Sequence, residues 1–314
     1  MGQGIHVASF GECMLELQGP AFGTLVQTYG GDTLNTAVYL ARCGRAQGLQ
    51  VHYATALGDD ALSSGLLQRW EAEGLETGLV RRLPGRLPGL YWIEVDSQGE
   101  RRFSYWRDHS AARAYFDAPR GTTPLEQQAG QLGALHFSGI SLAILSAAAQ
   151  ARLLDVAARV RQAGGLVAFD NNYRPRLWGD VETARQAFQS ATAVATLALM
   201  TLDDEQALWG EPHGDSQLER TLQLETAEVV VKRGPAATLV RGADGFVHEV
   251  PTVPVHHVVD TTAAGDAFAG AYLAARLGGA SATAAARAGN GLAALVVQHR
   301  GAILPAASMA DLMS

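Results

Sequence analysis

The residues best suited to chemistry lie near the end of this 314-residue chain, in Asp260-Thr261-Thr262-Ala263-Ala264-Gly265-Asp266. Val258 and Val259 predict a short strand that leads through these small residues into an Ala-rich helix. A helix start carries unpaired N–H groups and partial positive charge, so it favours anions. An aspartate beside such a nest can take a proton from a hydroxyl while the nest holds the charge of a phosphoryl group in transfer. Asp266 is also explained as a first-turn acid that complements the helix dipole, and this stretch alone does not decide between the two.

Further polar clusters stand where ligands are usually held. Gly30-Gly31-Asp32-Thr33-Leu34-Asn35 opens the first long helical pattern. Its paired glycines let a ligand approach the backbone, and Asp32 and Asn35 present polar groups one turn apart. The same residues also read as a tight turn with Asp32 as the cap. Asp170-Asn171-Asn172-Tyr173-Arg174-Pro175-Arg176 follows the apolar run Leu166–Phe169. The carboxyl ends of strands are where open α/β sheets bind ligands, and Arg174 there is either a bidentate anion grip or a solvated loop residue. Thr201-Leu202-Asp203-Asp204-Glu205 offers acids for a hydrated Mg²⁺, or a helix start capped by Thr201. Of 24 basic residues only Lys232 is a lysine, and it ends the apolar run Val229-Val230-Val231.

Several chemistries lack their residues. The chain has no G-x-x-x-x-G-K-[ST], no H-E-x-x-H and no G-x-G-x-x-G after its first strand, which ends in Gly11-Glu12-Cys13-Met14. Cys13 and Cys43 are too few for a disulfide framework, and free thiols in a reducing compartment are expected. A net charge of −7 disfavours a general nucleic-acid binder but allows a local basic pocket. No apolar run reaches 18 residues and no leader pattern opens the chain, so a soluble, cytoplasmic protein is expected.

The elements that must position these residues follow an α/β rhythm. Strands are predicted at Ile5–Phe10, Val51–Ala56, Ala134–Ser138, Leu166–Asp170, Val194–Thr201 and Glu228–Lys232. Amphipathic helices are predicted at Thr33–Cys43, Ala61–Glu73, Ala147–Gln162 and Val181–Ser190, with Gly44, Gly74 and Gly164 as stops. Near-continuous apolar strands alternating with helices imply a mainly parallel sheet covered on both faces. Leu90–Val95 and Arg102–Arg107 flank the turn-rich Asp96-Ser97-Gln98-Gly99 and read as an inserted β-hairpin. Period-two alternation puts Tyr91, Ile93 and Val95 on one face of its first strand, and Phe103, Tyr105 and Arg107 on one face of its second. A second hairpin is expected over Thr238–Val250, then helices at Ala267–Leu277 and Ala282–Gln298.

Taken in this order, Gly30-Gly31-Asp32-Thr33-Leu34-Asn35-Thr36-Ala37 and Asp260-Thr261-Thr262-Ala263-Ala264-Gly265-Asp266-Ala267-Phe268 resemble the two signatures of the ribokinase-like (PfkB) carbohydrate kinases. The likeness spans essentially the whole chain. Gly11–Met14, Arg86–Tyr91, Tyr105–Arg107, Ser138–Leu145, Asp170–Trp178 and Val229–Gly234 bring it closest to the members that phosphorylate 2-keto-3-deoxygluconate. The resemblance implies one domain over residues 1–314, a three-layer α/β sandwich with a small β-sheet lid inserted at about 12–30 and 88–110. It further implies ATP as phosphoryl donor, Mg²⁺ on its phosphates, and a sugar acid as acceptor, with no nucleic-acid or membrane partner.

In that frame Asp266 is the expected general base, and the backbone of Ala263, Ala264 and Gly265 the anion hole. Gly31, Asn35, Tyr91, Tyr105, Arg107 and Arg174 are expected to contact the sugar acid, the two arginines meeting its carboxylate. Thr201, Lys232, Gly234 and Asn290 fall where the family lines the nucleotide. The family's first glycine of Gly-Ala-Gly-Asp is Ala263 here. Its N-x-x-E metal-linked motif is replaced by Thr201 and Asp204, with Glu205 the alternative acid. A homo-dimer joined through the lids is expected, because exposed aromatic strand faces seek cover.

Overall fold

The computed structural model describes residues 4–95, 101–117, 121–210 and 214–309. Strands in chain order are β1 (His6–Phe10), β2 (Met14–Gln18), β3 (Val26–Gly30), β4 (Gln50–Ala54), β5 (Ala56–Leu57), β6 (Arg81–Arg82) and β7 (Gly89–Val95). They continue as β8 (Arg101–Trp106), β9 (Ala134–Ser138), β10 (Leu166–Asp170), β11 (Leu197–Thr201), β12 (Glu228–Arg233), β13 (Ala236–Arg241) and β14 (Val247–Val250). The main helices are α1 (Asp32–Gly44), α2 (Ala61–Ala72), α3 (Pro124–Gln128), α4 (Gly139–Ala143) and α5 (Ala147–Gln162). After them come α6 (Val181–Val194), α7 (Leu202–Trp209), α8 (Gly214–Leu222), α9 (Ala264–Leu277) and α10 (Ala282–Val296).

Eight strands form the large sheet in the order β14-β13-β12-β11-β10-β9-β1-β4. Pairing is parallel from β4 to β12 and antiparallel for the last two strands. Alternation along each strand feeds two cores. Leu135, Phe137, Val167 and Phe169 face α5 and α6, while Ala134, Ala168, Leu199 and Val230 face α1, α9 and α10. That gives the expected three layers.

The same alternation aims the polar strand ends. Ser138, Asp170, Thr201 and Lys232 each lie two residues beyond a side chain that faces the α1/α9 side or its continuation, so all four point beneath those helices at the carboxyl ends of β9, β10, β11 and β12. A second sheet of four strands, β3-β2-β7-β8, stands apart from the large one. It is mixed, since β2 pairs with β7 in parallel and its outer pairs are antiparallel. Registers Tyr91↔Tyr105 and Ile93↔Phe103 put those side chains on one face, as the alternation predicts. The predicted turn at residues 96–99 lies outside the described residues.

Two predicted strands change. Val258 and Val259 belong to no strand; they are 54% and 39% exposed, and the amides of Val259 and Asp260 both bond to the Val297 carbonyl. The predicted strand from Val194 begins instead at Leu197, because Ala184, Ala187, Phe188 and Ala191 carry a buried helical face that takes α6 to Val194. Helix α9 begins at Ala264, three residues earlier than predicted, which puts Asp266 in its first turn.

Candidate active site

Helices α1 and α9 pack unusually close. A Cβ on Gly270 would lie 2.7 Å from Tyr39 Cβ and 2.8 Å from the Thr36 carbonyl, so glycine is what permits the approach. The packing joins the two signature segments: Asn35 Nδ2 donates to Asp266 Oδ2 at 2.8 Å, and Thr36 Oγ1 donates to the Asp266 carbonyl at 3.2 Å. Asn35 Oδ1 is buried without a hydrogen-bond partner among the described residues, an acceptor kept for something else.

Around this pair the strand ends close in. Lys232 Nζ donates to Asp170 Oδ2 at 2.8 Å, with both side chains about nine-tenths buried. The same ammonium lies 3.6 Å from where a Cβ on Gly265 would stand, so the lone lysine borders the nest. Asp32 Oδ2 accepts from Ser138 Oγ and, at 2.8 Å, from Asn172 Nδ2. Asp32 is the first helical residue, and Gly31 rather than Asp32 takes the cap position. A Cβ on Gly31 would come within 2.1 Å of the Glu12 carbonyl, so the chain can pass there only as glycine.

These neighbours set the basicity of Asp266. Burial raises its pKa most, the carboxylates of Asp32 and Asp170 raise it further, and the Asn35 amide and Lys232 pull it down; the balance is about 7. Burial, with Asp170 nearby, likewise raises Asp32. A carboxyl poised near neutrality at the mouth of an anion nest has the properties of a general base. Ala263 caps α9 with φ 60° and ψ 12°, a left-handed conformation that leads into the first-turn amides. Of those amides, Ala264 N makes a long 3.3 Å bond to the Thr261 carbonyl. Asp260 folds the preceding turn by accepting from Thr262 N and Oγ1 at 3.0 and 2.7 Å.

The remaining predicted residues divide into two groups. Tyr91 donates to Glu16, and its hydroxyl lies 3.4 Å from a Cβ built on Gly30, which itself would be 3.8 Å from Asn35 Oδ1. The ring of Tyr105 lies 5.9 Å from that of Tyr91. Tyr91 therefore stands across Gly30 from Asn35, with Tyr105 beside it. Arg107 is buried on Glu12, donating through Nε at 2.9 Å. Arg174 is half exposed and pairs with Asp204 at 3.3 Å.

The nucleotide and metal residues are more scattered. Thr201 caps α7 without a side-chain bond. Gly234, at φ 58°, makes the β12–β13 turn beside open space. The Asn290 amide is taken up inside the fold, accepting from Thr238 Oγ1 at 2.8 Å and donating to the Val250 and Pro251 carbonyls at 3.3 and 3.0 Å. Glu205 turns away from the nest. It is buried and accepts from Asn171 Nδ2 at 3.1 Å and Gln217 Nε2 at 3.5 Å, because the first turn of α7 aims it inward. Through Asn171 it braces the 170–174 loop. Among the described residues no group of three acids, histidines or cysteines is placed to hold a metal ion. Lys232, beside Gly265 at the start of α9, is a cation of the kind that suits phosphate oxygens.

Sequence reasoning passed over Ser138, Glu16 and the buried Glu12. The visible signal for Glu12 was a carboxylate two residues after an apolar strand, at the sheet end where ligands bind.

Known proteins resemble this chain along nearly its whole length. The model of the pfkB family carbohydrate kinases matches residues 5–309. The chain is 49% identical over 306 residues to the 2-dehydro-3-deoxygluconokinase of Dickeya dadantii, covering 97% of this chain and 98% of that one. It is 46% identical over 305 residues to the enzyme of the same name from Escherichia coli K12, covering 96% and 98%. A crystal structure of a PfkB protein from Polaromonas superposes with TM-score 0.81 at 28% identity, covering 98% and 99%. The chain belongs to the PfkB family of carbohydrate kinases.

Proposed function

We propose that this carbohydrate kinase transfers the γ-phosphoryl group of ATP to the terminal hydroxyl of 2-keto-3-deoxy-D-gluconate, giving the 6-phosphate. The observation that carries the reading is the 2.8 Å bond between Asn35 and Asp266, which joins the acceptor-side and donor-side segments at one point. Names carried by relatives at 49% and 46% identity support the substrate.

Asp266, with its pKa near 7, takes the proton of the C6 hydroxyl as the hydroxyl oxygen attacks. Backbone N–H groups of Ala263, Ala264 and Gly265 hold the transferring group's charge, Ala264 exchanging its long bond to Thr261 for a phosphoryl oxygen. Lys232, already bordering the nest, offsets the added negative charge. Mg²⁺, held through the nucleotide's phosphates and water rather than by a cluster of side chains, would supply further charge neutralisation there. Phosphoryl transfer depends mostly on positioning and charge stabilisation, so these groups dominate the rate. On the acceptor side Gly31 and Asn35 Oδ1 meet substrate hydroxyls, Tyr91 and Tyr105 form a wall, and Arg107 and Arg174 supply cations for the carboxylate. Thr201, Gly234 and Asn290 shape the nucleotide side.

The small sheet is the lid of this site, and two copies pair through it. A groove of about 1160 Å³ along it gathers Leu17, Leu90, Trp92 and Trp106 and takes in Tyr105 and Arg107, and Trp106 is 59% exposed. A second copy would cover that surface.

A coupled ATP assay over 2-keto-3-deoxygluconate, its C4 epimer and fructose tests the substrate. The sugar acids should exceed fructose in kcat/KM by at least ~10², since a site built for a carboxylate is left unpaired by a neutral sugar. Fructose as the preferred substrate would replace this reading with a neutral-sugar kinase. Binding without turnover of any of the three would replace it with a sugar-binding protein.

A further inference from the structure

The chain crosses between the large and small sheets four times: after β1, after β3 at Gly31, before β7 at Gly89, and after β8 at Arg107. All four crossings meet at Glu12. Its carbonyl would be 2.1 Å from a Cβ on Gly31, and its Oε1 would be 2.7 Å from a Cβ on Gly89. Its Oε2 accepts from both Nε and Nη2 of Arg107. The Glu12 side chain has no exposure and that of Arg107 only 8%.

This is a costly arrangement for a hinge. Burying an ion pair is rarely more stabilising than burying apolar groups of the same volume. Oε1 of Glu12 has, in addition, no hydrogen-bond partner among the described residues. A carboxylate kept under those conditions is explained by what it does to the arginine. By occupying Nε and Nη2 it fixes the plane of the guanidinium and leaves Nη1 as the nitrogen offered to a ligand.

We propose that Glu12 is a positioning residue for the acceptor: it orients Arg107 so that the guanidinium meets the carboxylate of the sugar acid. The inference rests on the reading that Arg107 contacts that carboxylate. It assigns Glu12 no contact with substrate.

Four variants test it, Glu12→Ala, Glu12→Gln, Arg107→Ala and the double Glu12→Ala/Arg107→Ala, each assayed for sugar-acid KM, ATP KM and kcat. Arg107→Ala and Glu12→Ala should each raise the sugar-acid KM at least ~10-fold while ATP KM stays within ~2-fold. Glu12→Gln keeps an oxygen at the same reach and should recover most of the loss. Action through Arg107 requires that the double variant match Arg107→Ala alone, because the second change then removes nothing further. A purely structural hinge would multiply the two effects, and that result overturns the inference. So does a normal sugar-acid KM in Glu12→Ala when Arg107→Ala is impaired. A normal sugar-acid KM in Arg107→Ala instead removes Arg107 from the acceptor site, and the role of Glu12 falls with it. If Glu12→Ala does not fold, Glu12→Asp, whose carboxylate is one methylene short of Arg107, with and without Arg107→Ala gives the same comparison, and multiplied effects or a normal sugar-acid KM in Glu12→Asp again overturn the inference.

Discussion

Asp266 illustrates how much a single side chain owes to its neighbours. As a free carboxyl it would ionise near 3.8, yet burial and the carboxylates of Asp32 and Asp170 bring it to about 7. Two consequences follow for a base of this kind. Turnover should rise with pH through about 7 as the carboxylate forms. Stability should move the other way: between about 4 and 7 the folded state binds the proton that the unfolded chain has lost, so ionising Asp266 weakens the fold as pH rises. Asp266→Asn should therefore lower kcat by at least ~10². It should also gain about 1–2 kcal/mol of stability at pH 8, discounted for the part of the side chain that water screens. A pH–rate profile and urea melts at pH 5 and 8 measure both. Near-normal turnover in this variant would remove Asp266 as the base.

At the scale of elements, the site depends on α1 and α9 being pressed together and on how α9 begins. Gly270 allows the contact, and the alternation of β9, β10 and β12 delivers Ser138, Asp170 and Lys232 under it. The start of α9 carries strain. Ala263 holds φ 60°, a conformation that costs a residue with a Cβ on the order of 1 kcal/mol. Ala263→Gly should raise stability by about 0.5–1 kcal/mol, the relief being partly offset by the greater entropy of unfolded glycine. A higher urea midpoint is expected, and a lower one would mean that the nest gains nothing from relaxing this residue. Much of this level is legible in the residues themselves. Strand and helix positions follow from period-two and period-3.6 patterns that the cores then use. Val258 and Val259 misled because two β-branched residues fit an extended loop as well as a strand, and only the Val297 carbonyl determines which forms. Val194 misled because an apolar residue at a helix end is indistinguishable from one at a strand start.

At the scale of the whole molecule, the small sheet has Tyr91, Ile93, Phe103 and Tyr105 on one face and Leu90, Trp92 and Trp106 on the other. The groove along this sheet gathers Leu17, Leu90 and Trp106 from three adjacent strands. Exposed apolar side chains such as Trp106 are favourable to cover, which is the physical basis for the proposed pairing through the lid. Trp106→Glu places a charge in the middle of the face and should convert dimer to monomer in sedimentation velocity at micromolar concentration. Wild-type protein that sediments as a monomer would rule the pairing out.

The sequence by itself determined the layer order, the family resemblance and the residue types at the site, because those depend on local periodicity and on short motifs whose spacing survives folding. Gly30–Asn35 and Asp260–Asp266 were legible as ligand segments more than two hundred residues apart. Only the tertiary structure decided which partner each side chain takes. It set Asn35 on Asp266, gave Lys232 to Asp170, turned Glu205 inward and buried Arg107 on Glu12. Hydrogen bonds and ion pairs reach only about 3–4 Å, so a charge's partner depends on which strand ends and helix turns converge, and nothing local in the chain encodes that distance.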